Sequence, residues 1–338
     1  MMMNHTLKNQ CKVSPGTIIT GKWHAREYRI IKELGFGANG VVYLAKHKDT
    51  QVALKMSDNG MSITSEVNVL KSFAKVQGHS LGPCLLDVDD WQWNNSKISF
   101  YVMEYIQGPD FLSFIQTKGP SWTSVLFLQL LNDLEHLHQN GWVFGDLKPE
   151  NLIVTGPPPK IRCIDVGGTT IKGRAIKEFT EFYDRGYWGL GSRKAEPSYD
   201  LFAVAMIMIN TAYPKRFTKS TGGLPQLKDA IRQKQELIKF EPVILKALQG
   251  QYSQAKQMRE DLLDLMVEKN NSAVPSKPRV NKQKTAQGNQ GGVKNTQSVP
   301  LSRQSYRRKK KKSGLMEFLF IAIVLGVLYA WYTFNNLP

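Results

Sequence analysis

Apolar and polar positions alternate from Tyr28 to Lys46, YRIIKELGFGANGVVYLAK, on both sides of a glycine cluster. That period predicts two strands joined by a tight turn. QVALKMS at Gln51 to Ser57 continues as a further strand. The period then lengthens. Val67, Val69, Leu70 and Phe73 predict a helix, with Ser62 in place to cap it. After a less informative stretch, ISFYVMEYIQGPD at Ile98 to Asp110 reads as an apolar strand running into a linker. Ser124 to Gln139 returns to helical spacing through Val125, Leu128, Leu131 and Leu134, closed by Gly141. DLFAVAMIMI from Asp200 is apolar enough for a buried helix, and Leu237 to Met266 supplies the remaining helices. Strands first and helices afterwards predict an α+β fold.

Composition changes the picture chiefly at the carboxyl end. The net charge of the 338 residues is +17, yet Lys269 to Lys312 alone holds 13 Lys or Arg and no Asp or Glu. A partner chosen by charge therefore meets the tail and not the fold. Asn270 to Ser305 is rich in Gln, Asn, Ser, Gly, Lys and Pro, the composition of a disordered linker. The basic run Arg307 to Lys312 precedes FLFIAIVLGVLYAWYTF, just long enough to cross a bilayer, and Lys and Arg on its amino side place that side in the cytoplasm. Ala322, Gly326 and Ala330 share one face of that segment, where small side chains favour self-association. The expected divisions are 1–27, an extension; 28–268, the folded domain; 269–314, a disordered basic linker; and 315–338, a membrane tail anchor. Expected partners of the tail are anionic membrane, and DNA through Lys269 to Lys312. Cys11, Cys84 and Cys163 lack metal-ligand spacing and leave an odd thiol in any pairing, which suits a reducing cytosol. The first residues, MMMNHTLKNQCKVSPG, lack the apolar core of a secretory signal.

The candidate chemistry lies in GWVFGDLKPENLI, Gly141 to Ile153, and in IDVGG, Ile164 to Gly168. Asp146, Lys148 and Asn151 have the D-x-K-x-x-N spacing of a loop for phosphoryl transfer. A carboxylate accepts the acceptor hydroxyl's proton, and a lysine offsets charge on the migrating phosphoryl group. An asparagine oxygen holds a metal shared with a second carboxylate, Asp165. Upstream, Gly35, Gly37, Gly40 and Val42 form G-x-G-x-x-G-x-V, whose glycines let backbone N–H groups approach phosphate. A strand follows it, which disfavours a dinucleotide fold. Ala53 and Lys55 stand in a V-A-x-K arrangement, Lys55 would bridge α- and β-phosphates, and Glu66 is its acidic partner on the next helix. His136 and His138 read as surface or packing histidines.

From Tyr28 to Met266 the chain resembles the Hanks-type protein kinases, with five motifs in the right order. The whole layout resembles the membrane-anchored serine/threonine kinases of spore-forming bacteria. The resemblance implies a two-lobed kinase fold, a small mostly-β lobe over a larger mostly-α one, using ATP with Mg2+ or Mn2+ on protein substrates. It implies DNA binding and activation by DNA. Residue by residue, it implies that Leu34 and Ile153 face the nucleotide and that Met103 guards the back of the adenine pocket. It further gives Glu104 and Ile106 backbone bonds to the base and puts Asp110 near the ribose. The DLKPEN lysine implies Ser or Thr acceptors. Thr169, Thr170, Thr180, Ser192 and Ser198 are candidate phosphoacceptors on the segment after Asp165. Asp200 ties down the catalytic loop.

The chain departs from the family pattern in three places. Phe144 and Gly145 stand where His and Arg precede the catalytic Asp, and Val166 stands where a Phe follows the metal Asp. A larger Phe144 fills volume that Val166 gives up, with Leu70 above. Gly145 removes the arginine that captures an activation-segment phosphate. No A-P-E motif stands near Tyr187 to Gly189, and AEP at Ala195 to Pro197 lies too close to Asp200 to replace it. Two other classes compete. F-G-D echoes the H-G-D of aminoglycoside-type phosphotransferases, but the complete glycine loop and DLKPEN oppose a small-molecule kinase. An inert scaffold tethering nucleic acid to the membrane would need none of Lys55, Asp146, Asn151 and Asp165.

Overall fold

The sheet that carries the glycine cluster has six antiparallel strands. They are β1 (Ile18–Thr20), β2 (Glu27–Gly37), β3 (Gly40–His47), β4 (Thr50–Ser57), β5 (Leu85–Trp93) and β6 (Ser96–Glu104), in the order β1-β2-β3-β4-β6-β5. The computed structural model of the protein describes residues 11–37, 40–75, 81–93, 96–220 and 222–272. β2 and β3 pair down to Gly37 opposite Gly40. Gly40 must be glycine: its φ is +126°, and a Cβ there would lie 2.1 Å from the Met56 carbonyl oxygen. The alternating residues send Ile30, Val41, Tyr43, Ala45, Leu54 and Met56 into one core and leave Val42, Ala53 and Lys55 on the opposite face.

The domain starts earlier than the boundary read at residue 28. Ile19 pairs with Tyr28 and is fully buried, so part of the extension is the first strand of the sheet. Cys11 is buried too, and Tyr43 Oη donates to its carbonyl at 2.9 Å while accepting from Val13 N–H at 3.0 Å. A three-residue strand is too short to show an alternation, which is why the pattern did not reveal it.

Helix α1 (Gly60–Lys75) lies against this sheet. Its cap is Asn59 and not Ser62: the Asn59 side-chain oxygen accepts from Met61 N–H at 3.1 Å and Ser62 N–H at 3.3 Å. Ser62 sits inside the first turn, and its hydroxyl donates to Glu66.

The second lobe contains α2 (Phe111–Lys118), α3 (Ser121–Gln139), α4 (Arg185–Trp188), α5 (Pro197–Ala212), α6 (Gly223–Arg232), α7 (Gln235–Ile238), α8 (Glu241–Leu248) and α9 (Ala255–Ser272). Short strands β7 (Trp142–Val143), β8 (Leu152–Thr155), β9 (Lys160–Cys163) and β10 (Thr170–Ile171) pair as β8–β9 and β7–β10. α5 is buried continuously from Leu201 to Asn210, as its unbroken apolar run predicts. α3 buries Leu126, Phe127, Leu130, Leu134 and Leu137, whereas Val125 and Leu128 of the predicted stripe are half-buried. The stripe is rotated because α3 is wedged between α9, α5 and β9 and has more than one inward face. α9 also runs past the boundary read at 268. Among the described residues no helix is long and apolar enough to cross a membrane. The linker from 273 onward, the membrane segment and the face of Ala322, Gly326 and Ala330 lie outside the described residues.

Candidate active site

A cavity of about 630 Å³ opens between the lobes. Leu34, Gly35, Val42, Ala53 and Lys55 line it from the sheet, Glu104 and Ile106 from the connection, and Asn151, Ile153 and Asp165 from below. Pro83, Tyr101, Gln107, Gly108 and Ile164 also line it and were not singled out by sequence. Gly37 and Gly40 face each other at the hairpin end of β2 and β3.

Lys55 is buried and meets Glu66 across 2.6 Å. The same carboxylate oxygen accepts from Tyr101 Oη at 2.7 Å, and the other accepts from Ser62 Oγ at 3.3 Å. Neighbouring donors thus complete the coordination of this buried pair, the condition under which such a pair holds its geometry. Burial pushes the Tyr101 hydroxyl well above its ordinary pKa, and the charge of Glu66 adds to the effect, so it remains a donor.

Below the cavity, Asp146 and Lys148 are in contact at 2.5 Å. Thr180, one of five candidate phosphoacceptors, closes this pair into a triangle: its hydroxyl donates to Asp146 Oδ1 at 3.0 Å, and Lys148 Nζ reaches it at 3.2 Å. Thr169 and Thr170 are buried, Arg185 donates to Ser198 Oγ, and Ser192 is exposed. Asn151 donates its amide N–H to the Asp146 carbonyl at 3.1 Å, which fixes the amide and turns its oxygen outward. That oxygen and the Asp165 carboxylate, which accepts from Gly167 N–H at 2.9 Å, form an all-oxygen donor set on one wall of the cavity. Hard divalent cations such as Mg2+ prefer such donors, so these residues fit the metal that the chemistry needs.

The loop carrying Asp146 is held from beneath. Asp200 is fully buried, and its two oxygens accept from Phe144 N–H at 2.8 Å and Gly145 N–H at 2.9 Å. His138 is a working member of this group: it is buried, with Nε2 2.8 Å from Asp200. Gly145 has φ +87°, and a Cβ there would lie 2.6 Å from the Gly168 carbonyl. Phe144, Val166 and Leu70 are buried in one cluster.

Asp110 and Glu104 each have a side-chain role of their own in place. Asp110 spends its carboxylate on capping α2, accepting from Ser113 N–H at 3.0 Å and Ser113 Oγ at 2.6 Å. Glu104 binds Arg162 through both carboxylate oxygens at 2.9 and 2.8 Å, which holds its pKa below the ordinary value. Its N–H donates to Cys84 O.

The missing A-P-E is replaced by a different anchor, Asp184. This fully buried carboxylate caps α4 through Gly186 N–H and Tyr187 N–H, and it accepts from Arg193 and from Tyr199 Oη. Arg185 adds contacts to the Ser192 carbonyl, Ser198 and Glu196. AEP thus contributes through Glu196, though not as a motif.

Known proteins can be compared with this geometry. The family model for the protein kinase domain matches residues 28–284. Serine/threonine-protein kinase YabT of Bacillus subtilis is 50% identical over 337 residues, 98% of each chain. Sporulation protein kinase mde3 of Schizosaccharomyces pombe is 30% identical over 147 residues, 39% of this chain and 26% of that protein. Cyclin-dependent kinase G1 of Arabidopsis thaliana is 26% identical over 246 residues, 65% of this chain and 39% of that one. With a nucleotide-sized cleft, a buried Lys–Glu pair and a match across most of its length, the chain belongs to the protein kinase family.

Proposed function

We propose that this protein transfers the γ-phosphoryl group of ATP to serine and threonine hydroxyls of proteins. The observation that carries this reading is the triangle of Asp146, Lys148 and Thr180, tied to the cleft lining through the bond from Asn151 to Asp146. A substrate hydroxyl entering beside Thr180 loses its proton to Asp146 as its oxygen bonds to the γ-phosphorus, and the bond from that phosphorus to the β-γ bridging oxygen breaks. Lys148 offsets negative charge on the phosphoryl group in flight. Lys55, fixed by Glu66, orients the α- and β-phosphates, and the glycine hairpin supplies N–H groups without side-chain obstruction. Asn151 and Asp165 would hold Mg2+, or Mn2+ in its place, which supplies charge neutralisation on the phosphate oxygens. Serine and threonine are favoured as acceptors by the Lys148–Thr180 contact, and the Bacillus subtilis relative bears the serine/threonine name.

Asp146→Asn is expected to lower phosphoryl transfer to a generic protein about 10²- to 10⁴-fold while leaving ATP binding nearly intact, because the carboxylate acts on the acceptor. Asp165→Asn should instead weaken metal-dependent nucleotide binding. Radiolabel transfer and nucleotide titration measure the two. Near-normal turnover by the Asp146 variant, or labelling of an aminoglycoside in preference to protein, defeats the reading.

We further propose that the carboxyl-terminal segment anchors the protein in the cell membrane with the kinase domain in the cytoplasm, that basic residues between Lys269 and Lys312 engage DNA and anionic lipid, and that DNA and autophosphorylation regulate activity. The support is the charge and apolar distribution of the tail. Self-association through Ala322, Gly326 and Ala330 would raise the local concentration of kinase domains. A two-hybrid assay of the isolated segment tests it: Gly326→Ile is expected to abolish the signal, and an unchanged signal rules that face out.

A further inference from the structure

Under the kinase reading the glycine hairpin supplies N–H groups to the nucleotide phosphates, yet its own sheet holds it weakly. Every residue of β2 from Ile31 to Gly37 is exposed. β1 reaches only as far as Ile30, where Gly16 N–H donates to Ile30 O and Ile30 N–H donates to Thr17 O, both at 2.8 Å. Beyond that point the described part of β2 pairs with β3, and the pairing is interrupted by register shifts between Ile30 and Lys32 and between Glu33 and Gly35. A half-strand with an irregular ladder and no buried side chain belongs to the part of a fold that is most readily displaced. Phosphate N–H donors placed on it need a further hold.

The chain before the sheet provides one. Lys12 Nζ lies 5.0 Å from the centre of the Phe36 ring, and Phe36 stands between Gly35 and Gly37. Lys12 is aimed there by its two neighbours, which share one partner atom: Tyr43 Oη donates to Cys11 O at 2.9 Å and accepts from Val13 N–H at 3.0 Å. Tyr43 and Cys11 are buried, and Val13 packs against the same core. Phe36 is opposite Val41, whose side chain enters that core, so the ring lies on the outer face of the sheet, away from the face of Val42, Ala53 and Lys55. Lys12 is thus behind the hairpin and not in the cleft. We infer that Lys12 is a positioning residue for phosphoryl transfer: held from β3 through Tyr43, it grips the Phe36 ring and so fixes the glycine hairpin over the nucleotide phosphates. The inference rests on the kinase reading for what the hairpin holds.

The test uses the full-length chain in non-ionic detergent micelles. Dissociation constants are measured for ATP with Mg2+ and for adenosine, which carries no phosphate, together with the thermal midpoint and with KM for ATP and kcat for transfer to a generic protein. The variants are Lys12→Met, Lys12→Arg, Phe36→Leu and the double variant Lys12→Met with Phe36→Leu. Lys12→Met keeps the reach of the side chain and removes its charge. It is expected to weaken ATP about two- to fivefold, the range that an exposed cation–π contact allows, and to raise KM for ATP by the same factor. Adenosine affinity, kcat and the midpoint should stay at parental values. Lys12→Arg should retain parental ATP affinity, and in the Phe36→Leu background Lys12→Met should have no further effect, as for two residues acting through one contact. Parental ATP affinity in Lys12→Met overturns the inference, as does equal weakening of adenosine. So does a loss that persists in full in the Phe36→Leu background, because it would mark the bare charge of Lys12 and not its hold on the ring. An unaltered chain that binds ATP but transfers nothing to protein defeats the kinase reading and leaves the hold on the hairpin standing, since the binding comparison does not depend on turnover.

Discussion

Asp146, Lys148, Asn151 and Asp165 were legible because one loop and one turn bring them together by local spacing alone. Thr180 was not, since only the fold shows which of five hydroxyls returns to Asp146, 34 residues away in sequence. Tyr101 and His138 escaped for the same reason: each acts through a partner fixed by tertiary structure, Glu66 in one case and Asp200 in the other. Gly145 shows a different gap. By sequence it is the loss of an arginine, yet in place it is a position that admits no side chain without adjustment, because its φ is +87° and the Gly168 carbonyl lies 2.6 Å from where a Cβ would stand. Restoring Arg at 145 is therefore not expected to restore capture of a phosphate. Gly145→Ala should cost about 1–2 kcal/mol from the left-handed backbone alone, with a further loss from the contact. Because Gly145 N–H also binds Asp200, the displacement should reach Asp146. Chemical denaturation and turnover, measured together on Gly145→Ala and Gly145→Arg, check this: lower stability and lower turnover in both are expected, and an Arg variant of parental stability would contradict the packing argument.

At the scale of elements, strong periodicity was readable and short or polar elements were not. β5 was missed because Asp87, Asp89 and Asp90 make LLDVDDWQW a poor strand by propensity, and Asp87 and Asp89 are satisfied by Trp23 and His24, which precede the predicted domain, and by Tyr28 at its first residue. α6 was missed because Gly222, Gly223 and Pro225 read as a loop. The segment from Gly173 to Ile176 is bound to Arg193 and Ala195 through Gly173 N–H to Ala195 O, Ala195 N–H to Arg174 O and Ile176 N–H to Arg193 O. These bonds order it without a phosphate, which gives a physical account of how the protein dispenses with the arginine absent at 145. The other end of that shelf hangs on Asp184. Burial pushes its pKa up, but donation from Arg193, Tyr199, Gly186 N–H and Tyr187 N–H outweighs burial and holds the value below the ordinary 3.8. A carboxylate with a depressed folded-state pKa contributes stability that is fully present above its unfolded value and is lost as pH falls through the folded one. Asp184→Asn is therefore expected to destabilise by about 1–3 kcal/mol near neutrality, as a buried acceptor loses its charge. The gap between the variant and its parent should stay constant down to about pH 4 and then shrink. Denaturant melts at pH 7, 5 and 3 measure it; a gap that widens in acid would show that the carboxylate is not the anchor.

Across the whole molecule, charge is divided between a folded domain with only a mild basic excess and a tail that holds 13 Lys or Arg between Lys269 and Lys312. Two explanations compete for those charges. Under the proposed membrane anchor, Arg307 to Lys312 would be accounted for by topology and by attraction to anionic lipid, about 1 kcal/mol per basic residue near the surface. Lys277, Arg279, Lys282, Lys284, Lys294 and Arg303 are not, because they are spread over a Gln- and Asn-rich stretch too far in sequence from the bilayer for topology to require them. A cationic chain of that kind follows a phosphate backbone without reading bases, so binding to duplex DNA should be independent of sequence. With some six to eight charges engaged, the log–log dependence of affinity on salt should have a slope of about −5 to −7. Gathering several kinase domains on one DNA would then promote phosphorylation in trans, a trigger suited to a chain whose Gly145 cannot capture a phosphate. The measurement compares the chain without its membrane segment with one also cut at Asn270. The longer chain is expected to bind DNA with the steep salt dependence and to autophosphorylate faster when DNA is added. Equal DNA affinity for the two, or autophosphorylation that does not respond to DNA, would leave membrane electrostatics as the explanation of the tail.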